Sequence, residues 1–222
     1  MPFDCRLKHP FTMQIVGPSG IGKTTFLYKL LKAKRVLMHP APPTVLLYFS
    51  ENQPLFGRML NEGLVQAAYS TLPDYDEMRG IAKKYKKNGG ALIIFDDCMH
   101  AIDTPNFELI FSQLSHHANA SFISVQQTLF NSRSKNLRIA SLNTKYLVLF
   151  KFPRDNSQVY HLGRQFRPTD PSFLFQCYQR MTKAKFAYLF IDYDAASSDA
   201  IRVRSRVLPS EKPMLCFIPH GN

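Results

Sequence analysis

The sequence predicts an α/β fold: a central, mostly parallel sheet flanked by helices and followed by a C-terminal helix and β-hairpin. Three observations carry that expectation. Apolar, β-rich runs alternate with helical stretches along most of the chain, the pattern that a parallel sheet wrapped by helices requires. A glycine-rich stretch, Gly17 to Thr25, joins an apolar run directly to a helical one, so the chain passes there from strand to helix. The run Ala91 to Phe95 is apolar throughout, follows Asn88-Gly89-Gly90 and ends in two carboxylates, Asp96 and Asp97, as expected of a buried central strand.

The elements follow in order. Strands are predicted over 11–16, 45–50, 91–95, 120–125 and 146–151, and helices over 23–34, 53–62, 74–87, 105–117 and 158–165. The proline-rich stretch 39–43 reads as the loop between the first helix and the second strand. Asp170-Pro171 reads as an N-cap followed by proline in the first helical turn, opening a helix to about residue 182. Strands over 186–193 and 200–207 then form a terminal hairpin across 194–199. No internal repeat or low-complexity tract interrupts the pattern. The 222 residues suit one domain, with a core of about 8–168 and an extension of about 169–222.

Composition narrows the setting. At 45% apolar residues a sizeable core is possible, yet no run approaches the ~18 apolar residues that span a bilayer. The first residues lack the apolar region of a signal peptide, so an intracellular protein is expected. Cys5, Cys98, Cys177 and Cys216 lie far apart with no C-x-x-C pair, which argues for reduced thiols and against a zinc site. The paired His116-His117 has no third ligand nearby and reads as an interface or a helix end. The charge is +12, from 28 Lys plus Arg against 16 Asp plus Glu. Such an excess favours a polyanionic partner, and nucleic acid is the reading adopted. The basic residues gather at 29–35, 83–87, 133–138, 164–167, 180–185 and 202–206; a solvated surface is the plainer account of any one cluster.

The chemistry begins at Gly17-Pro18-Ser19-Gly20-Ile21-Gly22-Lys23-Thr24-Thr25. The spacing G-x-x-x-x-G-K-[ST] wraps backbone N–H groups around a polyphosphate at the positive end of a helix. It sends Lys23 to the β- and γ-phosphates and the Thr24 hydroxyl to Mg²⁺. Downstream, Asp96 fits the role of the acid that holds the Mg²⁺ shell, and Asp97 that of the base that activates an attacking water. An acid free to serve as base points to water as acceptor. Ser121 to Val125 is the next core strand and ends in Gln126 and Gln127. Ligands of open α/β sheets bind at the carboxyl ends of strands, so either glutamine stands near the γ-phosphate, with Gln127 the stronger candidate.

Together these segments, with Leu147 to Phe152, Pro153-Arg154-Asp155 and Leu162-Gly163-Arg164-Gln165, resemble the packaging ATPases of polinton (Maverick)-type elements and related double-stranded DNA viruses. Those belong to the FtsK/HerA branch of P-loop NTPases, of the ASCE/RecA-like type. The resemblance runs from Arg6 to the segments 188–193 and 202–204, nearly the whole chain. It implies an ATP- and Mg²⁺-dependent motor, a homo-oligomeric ring of five or six subunits, that drives double-stranded DNA into a preformed capsid at its portal vertex. It places the protein at assembling virions in the host nucleus or cytoplasm. In such rings a neighbour's arginine completes the active site; Arg138 is the first candidate for that finger and Arg154 the second. Relatives often carry a basic residue after the paired histidines, where this chain has Ala118. Glu51 and Gln53 would couple the phosphate site to a translocating loop. Apart from the resemblance, Lys83 to Lys87 has the charge and, in Tyr85, an aromatic suited to gripping a nucleic-acid backbone, and a solvated helix face explains it equally well.

Two other classes share part of the pattern. Gly17 to Thr25 also resembles the phosphate loop of guanylate-kinase-like nucleotide kinases, which need an arginine-rich lid but not two adjacent acids followed by a glutamine strand. A non-enzymatic, nucleotide-dependent DNA- or capsid-binding protein is the other, against which Lys23, Thr24, Asp96 and Asp97 all speak.

Overall fold

Continuous apolar runs produce strands buried on both faces, and here they assemble side by side in a single large sheet. The computed structural model describes residues 3–98, 109–129, 141–154 and 156–219. A small parallel pair, β1 (Leu7–Lys8) and β3 (Met38–His39), stands apart from it. The main sheet has nine strands in the order β11-β10-β9-β8-β2-β7-β6-β4-β5. These are β2 (Thr12–Val16), β4 (Thr44–Phe49), β5 (Ala67–Tyr69), β6 (Ala91–Asp96), β7 (Ala120–Gln126), β8 (Tyr146–Phe150), β9 (Tyr188–Asp192), β10 (Val203–Ser205) and β11 (Leu215–Phe217). From β8 through β2, β7, β6 and β4 to β5 all neighbours are parallel, whereas β9, β10 and β11 continue antiparallel beyond β8. The fold class read from the sequence is thus the one observed.

Side-chain parity shows why the sheet sits between two helical layers. Leu92 and Ile94 of β6, Ile123 and Val125 of β7 and Met13 and Ile15 of β2 point to one face. There they meet α1 (Lys23–Lys32) through Phe26, Leu27, Leu30 and Leu31, and a helix over Pro54–Asn61 through Phe56 and Met59. A short α2 (Lys34–Leu37) follows α1, so the Pro54–Asn61 helix is α3. Ile93 and Phe95 of β6 and Phe122 of β7 point to the other face, against α4 (Tyr75–Lys86) and the helical turns Ile110–Leu114 and α5 (Ser115–His117). On that same face Leu147 and Leu149 of β8 and Leu189 and Ile191 of β9 meet α6 (Ser157–Phe166) and α7 (Pro171–Met181). Each such aliphatic or Phe side chain contributes about 1.5–3 kcal/mol on burial.

Several expectations shift in detail. The first helix ends two residues early, at Lys32, because Ala33 leaves helical geometry (φ −95°, ψ 11°) before α2 resumes. The helix predicted over 74–87 is present with a full capping box, Asp74 accepting from the Glu77 N–H and Glu77 from the Asp74 N–H. Asp170 does hold the N-cap position of α7, but its carboxylate accepts from the Ser172 hydroxyl rather than from a backbone N–H. The predicted hairpin exists with shorter strands, since Asp199–Ile201 folds as a 3-10 turn, and it extends the main sheet by pairing with β8. The short strands β1, β3, β5 and β11 lack any sequence pattern of their own and were not expected.

Two residues of the basic cluster 202–206, Arg202 and Arg204, prove to be structural. Arg204 is 1% exposed, and its guanidinium pairs with buried Asp192 at 3.1 Å, donates to the Cys5 carbonyl and lies over the Phe190 ring. Removing one partner of such a pair strands the other in the interior at a cost of about 3–5 kcal/mol. Arg202 is held likewise, by Asp199 and by the carbonyls of Asp192 and Asp194. The pair therefore anchors the antiparallel extension and is unavailable to a polyanion. Lys86 is also partly structural, donating to the His117 carbonyl at 2.9 Å.

Candidate active site

The parallel register brings the carboxyl ends of the central strands to one level. Val16 lies beside Gln126, Val125 beside Asp96, and Asp96 beside Phe49. Everything that leaves these strands, residues 17–25, Asp97, Gln127 and the stretch 50–53, therefore emerges at the same end of the sheet.

Two glycines let residues 17–25 follow this path. Gly22, the N-cap of α1, has φ +101°, a conformation that a side chain would strain. At Gly17 a Cβ would stand 2.7 Å from Phe150 Cβ, so only glycine lets the loop start this close to β8. The Gly17 N–H donates to the Gln126 carbonyl at 3.1 Å, tying the loop to β7. Edge-to-face contacts of Phe26 with Phe150 and Tyr188 seat the first turn of α1 over β8 and β9. The N-terminus of α1 thus has its free N–H groups and dipole directed into the loop.

Parity then separates the two acids. Asp96 shares the face of Leu92 and Ile94, which is the face of α1, and is 3% exposed. Its Oδ2 is buried with no hydrogen-bond partner among the described residues. Burial raises its pKa to about 6; Lys23 opposes the rise, Asp97 adds to it and the Thr24 hydroxyl opposes it. Asp97 follows the strand with φ +54°, and its N–H donates to the Val125 carbonyl. Gln127 Nε2 donates to Asp97 Oδ2 at 2.8 Å. Of the two candidate glutamines it is therefore Gln127 that meets the acid. Gln126 is buried and donates instead to Ser124 Oγ at 3.0 Å. The Lys23 ammonium donates to the carbonyls of Gly17 (2.6 Å) and Pro18 (3.0 Å), and burial lowers its pKa against the pull of Asp96 and Asp97.

No protein-family model and no curated protein matches the chain. Among solved structures it is similar to the genome packaging NTPase B204 from Sulfolobus turreted icosahedral virus 2. With the ATP-gammaS complex the TM-score is 0.60 at 14% identity, over 93% of this chain and 98% of that one. With the sulfate complex it is 0.54 at 14% identity, over 96% and 98%. The chain shares the fold of that NTPase.

Within this fold Gly17, Pro18, Ser19, Gly20, Ile21, Gly22, Lys23, Thr24 and Thr25 form the turn into α1, with Asp96, Asp97 and Gln127 grouped beside it. Arg138 lies outside the described residues. Arg154, exposed after β8, stands at the same end of the sheet, as do Glu51 and Gln53 after β4. Strand-to-helix topology carries the C-terminal ends of α1 and α4, with Lys29 to Arg35 and Lys83 to Lys87, to the opposite end. Among the described residues no helix is long and apolar enough to cross a membrane.

The raised pKa of Asp96 has a measurable consequence. Its folded value of about 6 exceeds the ordinary 3.8, so its contribution to stability is complete below pH 3.8 and is lost as pH rises through 6. Asp96→Asn removes this penalty. The ligand-free variant is expected to be more stable than the parent by about 1–3 kcal/mol at pH 7.5, with the gap closing near pH 4. Urea unfolding at the two pH values checks this; a variant no more stable at pH 7.5 would show that Asp96 carries no buried charge.

Proposed function

We propose that the chain is a Mg²⁺-dependent ATPase that hydrolyses ATP to drive double-stranded DNA into a viral capsid, working as a homo-oligomeric ring. The observation that carries hydrolysis is the pair of adjacent acids split by the strand: Asp96 on the face of α1, and Asp97 beyond the strand end, held by Gln127. The packaging role is supported by the likeness over nearly the full chain to B204, itself a genome packaging NTPase, and by the charge of +12.

In this reading the backbone N–H groups of residues 17–25 receive the polyphosphate at the N-terminus of α1. Lys23 leaves the Gly17 and Pro18 carbonyls for the β- and γ-phosphates, a move its flexible stem allows. The buried, unpartnered Asp96 Oδ2 and the Thr24 hydroxyl beside it are hard oxygen donors of the kind Mg²⁺ takes, so the residues fit the ion. Bound there, it would supply charge neutralisation at the phosphate oxygens. Asp97 accepts the proton of the attacking water, and Gln127 orients both the acid and the water. Arg138 or Arg154 of a neighbouring subunit stabilises the charge that develops during transfer.

The test measures phosphate release by the purified protein with and without double-stranded DNA, and with GMP as an alternative acceptor. Stimulation by DNA is expected, with no transfer to GMP. Transfer to GMP would install a nucleotide kinase. ATP binding without turnover under either condition would leave a nucleotide-dependent binding protein.

A further inference from the structure

The site has two sides, and its two acids and Gln127 occupy one of them. The loop follows β2, while Asp96 ends β6 and Asp97 and Gln127 directly follow β6 and β7, which lie on one side of β2. On the ATPase reading, on which this inference rests, those residues attend the γ-phosphate. The polyphosphate then runs back across the N-terminus of α1, and its nucleoside end leaves on the other side of β2, over β8 and β9.

Phe186 stands there. It closes the turn from α7 into β9, and a Cβ on Gly22 would lie 3.1 Å from Phe186 Cδ1, so the ring abuts the glycine that caps α1. It is 51% exposed and belongs to none of the core clusters, whereas Phe26, Phe150 and Tyr188 of α1, β8 and β9 pack on one another within the core. Its backbone is held at φ +64°, a left-handed conformation that is strained for a bulky residue. Strain of this kind persists where the surroundings impose it and clusters at ligand sites. The Lys185 ammonium lies 4.9 Å from the ring centroid, so a cation and an aromatic surface adjoin the same loop. The core does not use this ring; a flat, apolar ligand part would.

We propose that Phe186 is the platform for the nucleobase of the bound nucleotide, with Lys185 beside it meeting the phosphate nearest the ribose. Stacking on an aromatic ring is tolerant of base identity, since every base presents a π-face, so the platform strengthens binding of nucleotides over bare polyphosphate without selecting strongly among purines.

The chain has no tryptophan, so Phe186→Trp places a single tryptophan at the site, which can be excited selectively at wavelengths where tyrosine does not absorb. Its emission is expected to be quenched on addition of ATP or ADP and not on addition of inorganic tripolyphosphate. In calorimetric titrations Phe186→Ala is expected to weaken ATP binding about tenfold and to leave tripolyphosphate binding within about twofold of the parent, the second measurement also reporting an intact loop. If the parent binds both ligands and Phe186→Ala binds ATP equally well, or if the tryptophan responds alike to ATP and tripolyphosphate, the platform is wrong while the phosphate site stands. If the parent binds neither ligand, the ATPase reading fails and the platform falls with it.

Discussion

Replacing Lys23 by alanine is expected to reduce ATP turnover by roughly 10³-fold, the scale seen when one preorganised donor to a developing charge is lost, and to weaken nucleotide binding as well. The reason is positional. Lys23 opens α1 immediately after the left-handed Gly22, and its ammonium already reaches the carbonyls at the start of the loop, so its stem spans the space over the α1 N-terminus. Burial lowers its pKa, but Asp96 and Asp97 act against that shift and favour the charged form needed to meet phosphate. The fold should be untouched, because the side chain contributes hydrogen bonds to the loop and no core packing. Phosphate-release rates on folded variant and parent settle the point, and unaltered turnover in the variant removes residues 17–25 from the chemistry.

Asp97→Asn is expected to behave differently, keeping Mg²⁺·ATP bound while turnover falls by about 10²–10⁴-fold, the range for loss of a general base. The separation follows from the strand. Asp96 is directed by parity to the face of α1 and is buried, whereas Asp97 lies past the strand end and accepts from Gln127 in reach of solvent. An asparagine at 97 preserves size and a carbonyl for Gln127 to donate to, but it cannot take a proton. Single-turnover measurements at saturating ATP distinguish the two effects. Full activity in the variant assigns the base elsewhere, and loss of nucleotide binding assigns Asp97 to holding the substrate.

Much of this arrangement was legible because the patterns involved are local. A G-x-x-x-x-G-K-[ST] turn between strand and helix is written in eight consecutive residues, and a fully apolar run ending in Asp96-Asp97 marks a central strand without reference to anything else. The strands that were missed are short, and their order comes from pairing: β5 forms on β4, β11 on β10, and β1 on β3. Arg202 and Arg204 were read as part of a basic surface because charge alone is visible in a sequence. Their partners Asp192 and Asp199 become partners only when β9, β10 and the 3-10 turn before β10 come together. Phe186 was read as the first residue of a strand, since an aromatic before Tyr188-Leu189-Phe190 continues the apolar run; its left-handed backbone and its contact with Gly22 arise across 164 positions of chain (186 less 22).

The sequence by itself determined the class of fold, the glycine-rich turn from strand to helix and the two acids at a strand end, because each depends on residue type and on spacing within one strand or one turn. Tertiary structure alone decided which acid faces α1, which glutamine meets the other acid, which arginines are buried and which aromatic ring stands beside the loop. The division is physical: periodicity fixes the faces of a strand, but only the packing of sheet against helix says what each face looks upon.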